Sequence, residues 1–281
     1  MKARNLFIRS LSGSAYVAAI VFAILIKNPA IYVALFSLFA LVGIWEYSKL
    51  AKNNRTRPLR HILDGLAAAY LFSATLFASI SGPDRIMFVP YIFYLIYVII
   101  RGLFTESDTF PSDLSKTVFG QLYIAGGLSM ANFIAFSKIS SDFTDFQTYF
   151  LLTIFILIWL NDTGAYLVGS LMGKHKMAKI ISPKKTWEGF AGGVVVSVIG
   201  AVLLGDFFVQ SLQPWYLWAV LGAVVAVAAT WGDLFESRLK RIAGVKDSGK
   251  IIPGHGGVLD RIDSLLFALP LSYITIQIVG L

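Results

Sequence analysis

Stretches of apolar residues long enough to span a bilayer as helices recur along this whole chain, and that recurrence decides the fold class before any motif is read. The composition agrees. Of the 281 residues, 57% are apolar and 14% charged, whereas a soluble domain carries about a quarter charged residues. Nine spans are expected, at 8–26, 29–50, 61–81, 86–103, 116–137, 147–170, 189–210, 213–233 and 261–280. Segments such as 86–103 and 116–137 are short or contain Gly and polar residues, so eight spans is the alternative count. The expected fold is an all-α, polytopic integral membrane protein. The first apolar segment lacks a small-residue cleavage site and leads into the second, so it is expected to stay as a span.

Charge orients the spans. With nine spans and a cytoplasmic N-terminus, the inside segments are the N-terminus and the regions near 49–61, 101–116, 171–188 and 234–261. These hold 21 of the 24 Lys and Arg residues, and only Lys27, Arg85 and Lys138 fall outside. Cytoplasmic loops carry such an excess, so the chain reads as N-terminus inside. The same distribution accounts for the net charge of +8 without nucleic acid as a partner. The cluster at 49–60 reads as topology, with attraction to anionic lipid as the alternative. Cysteine is absent, which removes disulfides, thiolate nucleophiles and Cys-based zinc sites and says nothing about compartment. No internal repeat or separate soluble domain is visible. Any substrate site must therefore be built from loops and helix ends at the membrane surface.

Two polar constellations interrupt the apolar pattern. The sixth span meets Asn161 and Asp162, and a carboxylate at that depth costs a few kcal/mol unless it is paired or faces water. It reads either as a span-end acid that pairs with a Lys or as a functional group. Gly169 and Gly173 follow at small-xxx-small spacing, which suits close helix packing. The loop beyond carries Lys174, Lys176, Lys179, Lys184 and Lys185, with His175 among them. Pro183 blocks a helix, and Ser182 before it reads as a cap or turn former. Cations beside the start of the seventh span make a candidate triphosphate cradle, although the GxxxxGK[ST] spacing is missing. His175 reads as a solvated loop histidine, since no second His or Cys lies at metal spacing.

The second constellation begins where the eighth span ends. Asp233, Glu236, Ser237 and Lys240 recur at three- and four-residue steps and share one helical face. A loop rich in Gly and Pro follows, with His255 in its middle and a density of glycine that lets backbone approach a ligand closely. Asp260 and Asp263 then lie three apart at the start of the last span, with Arg261 between them. Two carboxylates entering hydrocarbon together call for a cation. Either a divalent metal with oxygen ligands such as Mg2+ or salt bridges to Arg261, Lys240 or Arg241 would supply it.

Ser237-Arg-Leu-Lys240-Arg241, Lys246-Asp247-Ser-Gly249, Pro253-Gly254-His255-Gly256-Gly257 and Asp260-Arg261-Ile-Asp263 together resemble the signature of the phosphatidate cytidylyltransferases, or CDP-diacylglycerol synthases. The run from Asn161 to Gly193 resembles the second region of that family, so the resemblance covers roughly 150–281. It implies a nucleotidyltransferase of phospholipid biosynthesis in the cell (inner) membrane, with CTP and phosphatidic acid as substrates and the active site facing the cytoplasm. It further implies a homodimer, and Mg2+ with a second cation such as K+. On this reading 1–145 supplies scaffold, dimer contact or lipid entrance, and 146–281 is the catalytic region. The lipid phosphate attacks the α-phosphorus of CTP and diphosphate leaves in line. Asp233, Asp260 and Asp263 are assigned to the metal, and Lys240 and Arg261 act with them in catalysis. Asp162, Ser182, Lys184, Lys185, Ser237, Arg241, Lys246, Asp247, His255, Gly256 and Gly257 are assigned to the substrates. Both constellations fall on the positive side, so they are expected to meet in one site. A CDP-alcohol phosphotransferase is disfavoured by the missing DGxxAR…GxxxD…D pattern. A transporter is disfavoured because neither inverted repeats nor paired interrupted helices are seen.

Overall fold

The computed structural model describes residues 2–51, 58–82, 84–104, 110–136, 148–207 and 213–281. Among them run ten α-helices: α1 (Lys2–Leu25), α2 (Pro29–Leu50), α3 (Pro58–Ser81), α4 (Val89–Leu103), α5 (Phe110–Gly120), α6 (Gly127–Ala135), α7 (Thr148–Met172), α8 (Trp187–Phe207), α9 (Trp215–Ala243) and α10 (Leu259–Val279). A π-helical turn, Gln121–Gly126, joins α5 to α6, so the two read as one continuous span. Eight described helical segments are long and apolar enough to cross a membrane, by length and composition; the apolar part of α1, Ser10–Leu25, is shorter. The fold is polytopic and all-α, apart from a two-stranded hairpin of β1 (Lys176–Ala178) and β2 (Ser182–Thr186). The expected spans each find their helix. The eighth helix is longer than the expected 213–233, because α9 carries on to Ala243, about three turns beyond Asp233. Gly244 then takes the left-handed conformation at φ 75° and its N–H bonds the carbonyl of Arg241, an ending that suits a residue without Cβ.

The chain divides into two compact units. The first comprises Met1–Phe146 and Asp247–Asp260. Its core is aromatic: Tyr32 and Phe36 of α2 meet Phe72 of α3, Phe39 packs edge-on against Phe36, and the rings of Phe36 and Phe72 stack at 5.7 Å. Several polar groups buried there are bonded, as a low-dielectric interior favours. Asn132 donates to the Phe72 carbonyl and to Thr75 Oγ1, both at 2.8 Å. Gln121, at the start of the π turn, donates to the Asp64 carbonyl at 2.8 Å, and Tyr94 donates to Asp64 Oδ1 at 2.8 Å. Among α4 residues only Val98 is buried; Phe93, Ile96, Tyr97 and Ile100 face outward, an apolar surface suited to lipid.

The second unit comprises Gln147–Lys246 and Arg261–Leu281. Here α7 and α8 approach through glycine. A Cβ on Gly189 would lie 2.8 Å from the Ala165 carbonyl, one on Gly164 would lie 2.9 Å from Val196, and one on Gly192 would collide with Val168. Small residues let membrane helices approach until their backbones touch, which fixes how the polar end of α7 faces the start of α8.

Candidate active site

The polar end of α7 is where the second unit gathers charge. Asn161 is buried and donates to Thr230 Oγ1 of α9 at 3.4 Å, which ties the two helices at the level of the acids. Asp162, next along α7, is exposed to a cavity of about 420 Å³. Lys184, Lys185, Thr186, Tyr166 and Asp233 also line it. Lys185 Nζ meets Asp233 Oδ2 at 2.7 Å, with both side chains partly open to solvent. Asp162 lies within electrostatic reach of Asp233, Lys185 and Arg261, and Asp263 within reach of Asp233, Lys240 and Asp162. Three carboxylates and three cations thus share one neighbourhood. Gly232 lets α9 and α10 cross there, since a Cβ on it would come within 2.7 Å of the Asp263 carbonyl oxygen.

The five-lysine cradle divides in two. Lys184 and Lys185 sit on β2 and face the acids, while Lys174, Lys176 and Lys179 border a separate hollow with His175 and Trp187. Ser182 is not a helix cap. It opens β2 and pairs with Ala178, and the cap of α8 is Thr186, whose Oγ1 accepts from the Gly189 N–H at 3.2 Å. Glu188, in the first turn of α8, accepts from the backbone N–H of Lys174 at 3.1 Å and of His175 at 3.1 Å, and meets His175 Nδ1 at 2.5 Å. His175 is therefore exposed and tied to Glu188. The hairpin is held by its own acid, which leaves Lys184 and Lys185 aimed at the cavity.

On α9, Ser237 donates to Asp233 Oδ1 at 3.2 Å and Lys240 forms an ion pair with the fully buried Glu236. The shared helical face is as expected, and the pair is buried. Arg241 donates from Nε to the Ile181 carbonyl at 3.3 Å and from Nη1 to the Val245 carbonyl at 3.2 Å, so it braces the hairpin turn and the end of α9. Lys246 and Arg261 are exposed.

In the first unit, the signature loop folds around two carboxylates. Asp260 Oδ2 accepts from the Ser248 N–H at 2.9 Å and the Gly257 N–H at 2.8 Å. Gly256, at φ 91°, brings the backbone so near that a Cβ would sit 2.6 Å from that oxygen. Glu46 of α2, an acid outside both polar constellations, accepts through Oε2 from Ser248 Oγ at 3.0 Å and from the Leu259 N–H at 2.8 Å. Ser12 of α1 donates to the Pro253 carbonyl at 2.9 Å and meets His255 Nδ1 at 2.7 Å. Asp247 is exposed.

The donors offered to a cation are carboxylate oxygens, which suits a hard ion, and Mg2+ takes one or two carboxylates alongside substrate phosphate. The residues fit that open pattern. They do not fit a closed protein cage, because no group of three His, Cys, Asp or Glu able to hold a metal occurs among the described residues.

The profile of the Cytidylyltransferase family matches residues 7–279. A phosphatidate cytidylyltransferase of Staphylococcus haemolyticus (strain JCSC1435) is 50% identical over 123 residues, covering 44% of this chain and 47% of that protein. The phosphatidate cytidylyltransferase of Staphylococcus saprophyticus subsp. saprophyticus is 47% identical over 131 residues, covering 46% and 50%. That of Staphylococcus aureus (strain COL) is 49% identical over 123 residues, covering 44% and 47%. The chain spans about half the length of each of these relatives.

Proposed function

The chain belongs to the Cytidylyltransferase family, and from that premise we propose that it is a phosphatidate cytidylyltransferase, converting CTP and phosphatidic acid to CDP-diacylglycerol and diphosphate. The observation that carries the reading is the cavity at the polar end of α7, where Lys184 and Lys185 stand beside Asp162 and Asp233. Cations suited to phosphate and carboxylates suited to a hard cation are both needed to bring two anionic phosphates together. The named relatives support the choice of substrates.

An oxygen of the lipid phosphate forms a bond to the α-phosphorus of CTP, and the bond from that phosphorus to the bridging oxygen of the β-phosphate breaks. Diphosphate leaves with the electron pair. A phosphate monoester has its second pKa at about 6, so the nucleophile needs no general base, and His255 is assigned to holding the loop or phosphate instead. The barrier is one of charge and alignment. Lys184 and Lys185 screen the triphosphate; Lys246 and Arg261, both exposed, screen phosphate charge as well. Ser182 and Ser237 are assigned as donors to phosphate oxygens. Asp233 and Asp263 would hold Mg2+, with Asp162 beside them, and the ion would neutralise charge on the transferring phosphates. The signature supports an additional role for Asp260 and Asp247 toward metal or substrate, and a second cation such as K+. Segment 146–281 is taken as the catalytic region, the cytoplasmic face as the side of the site, and a homodimer as the assembly; the charge distribution and the family resemblance support these.

Purified protein in detergent micelles containing phosphatidic acid, supplied with labelled CTP and Mg2+, is expected to yield labelled CDP-lipid. Asp263→Asn is expected to lower the rate at least 100-fold with normal insertion. Absence of label in lipid with wild-type protein would overturn the function, and near-normal turnover of Asp263→Asn would overturn the metal assignment.

A further inference from the structure

A glutamate inside an apolar helix needs a reason, because an unsatisfied carboxylate in hydrocarbon costs a few kcal/mol. Glu46 is 1% exposed on α2, and the signature loop bonds one of its two carboxylate oxygens. Its Oε2 accepts from Ser248 Oγ at 3.0 Å and from the Leu259 N–H at 2.8 Å. Gly249 and Gly257 press so closely that a Cβ on either would collide with the same carboxylate. Asp260 takes the complementary pair, the Ser248 and Gly257 N–H groups. Ser248 is thus held from two sides, by hydroxyl and by amide. The free N–H groups at the start of a helix attract anions; at α10 the first of them, that of Leu259, meets the Glu46 carboxylate.

We infer that Glu46 is a positioning residue of the enzyme. Its carboxylate sets the conformation of loop 247–260, and with it the placement of Asp247, His255 and Asp260. The inference rests on the proposed reading in one respect, that this loop serves the transfer reaction. Glu46 itself touches no reacting atom in this account. It acts through Ser248 and through the backbone at Leu259, and the loop's two close-packed glycines are what allow a carboxylate that near the chain.

The test uses the full-length protein and the variants Glu46→Gln, Ser248→Ala and the double variant. Hydrogen exchange is followed by peptide, alongside kcat and KM for CTP and thermal unfolding in detergent. Glu46→Gln and Ser248→Ala are each expected to lower kcat at least tenfold and to speed exchange in peptides covering 247–260, while α7 to α9 and the core of α3 exchange as in wild type. The double variant is expected to be no worse than about twofold below the weaker single one, as for two residues acting through one contact. Wild-type rates and wild-type exchange in both single variants would overturn the inference. So would a loss of activity in which exchange rises across α2 and α3 as much as in the loop, since that is a general structural role. Should Glu46→Gln fail to accumulate, Ser248→Ala decides on the same criteria. If wild-type protein has no CTP-dependent activity, the proposed function fails, and the exchange result alone still decides whether Glu46 holds the loop.

Discussion

Gly232 places two acids by having no side chain. Its Cα lies where α9 crosses α10, and a methyl there would approach the Asp263 carbonyl oxygen to 2.7 Å and the Ser264 Cα to 3.2 Å. Both neighbours are backbone and cannot swing aside, so Gly232→Ala must push the helices apart at the level of Asp233 and Asp263. Overpacking of this kind costs about 1–3 kcal/mol. The variant is expected to lose stability by that amount in thermal unfolding and to lose turnover by at least tenfold; unchanged turnover would show that the spacing of the two acids is not critical. Asp233 and Asp263 were legible in the sequence because each interrupts an apolar run. Gly232 was not, since a glycine beside an acid gives no hint of which helix it will meet. Glu46 carries the same signal as Asp162, a carboxylate in an apolar span, but its partner Ser248 lies 202 residues away, a separation no local pattern bridges.

At the scale of elements, the hairpin between α7 and α8 decides which lysines face the acids. Its second strand reads Ser182-Pro-Lys-Lys-Thr186, a composition with little strand preference, so Pro183 announced the break in helix but nothing announced a hairpin. What holds it is tertiary. Trp187 donates to the His175 carbonyl at 2.9 Å, Glu188 collects the Lys174 and His175 amides, and Thr186 caps α8. Thr186→Ala is expected to cost about 1 kcal/mol, the usual worth of a lost N-cap, read as a lower unfolding midpoint. Glu188→Ala removes the tie at the base of the hairpin and is expected to raise KM for CTP several-fold with a smaller change in unfolding midpoint, because Lys184 and Lys185 lose their register. An unaltered KM would separate the hairpin from nucleotide binding. The alternation of helices, by contrast, was plain from hydropathy. The segment 116–137 looked marginal, and its weakness has a physical cause in the π turn at Gln121–Gly126, where polar Gln121 turns inward to Asp64 and Tyr94.

At the scale of the whole molecule, the absence of cysteine makes orientation directly testable. Ile180 is exposed in the hairpin turn and Arg85 at the start of the fourth span; the orientation expected from charge puts the first on the side richest in Lys and Arg and the second on the other. Introduced singly as Ile180→Cys and Arg85→Cys, the two are expected to differ in intact cells: the second reacts with a membrane-impermeant thiol reagent, and the first only after permeabilisation. The reverse labelling would overturn the cytoplasmic N-terminus. Charge counting leads to the expected orientation, but it carries no information on the division of the chain by packing. Residues 247–260, which follow α9 in sequence, pack with the first 146 residues instead, because the partners of Ser248 and His255 are Glu46 and Ser12.

That loop also sets a schedule for assembly. A ribosome adds about 5–20 residues per second, so the 202 residues between Glu46 and Ser248 take roughly 10–40 s to make. Throughout that interval α2 is already synthesised and its carboxylate has not met the hydroxyl and amide that bond its Oε2 in the folded chain. The bonds that Ser248 and Leu259 make to Glu46 are therefore late contacts of this fold, formed only once residues 248–259 have been made.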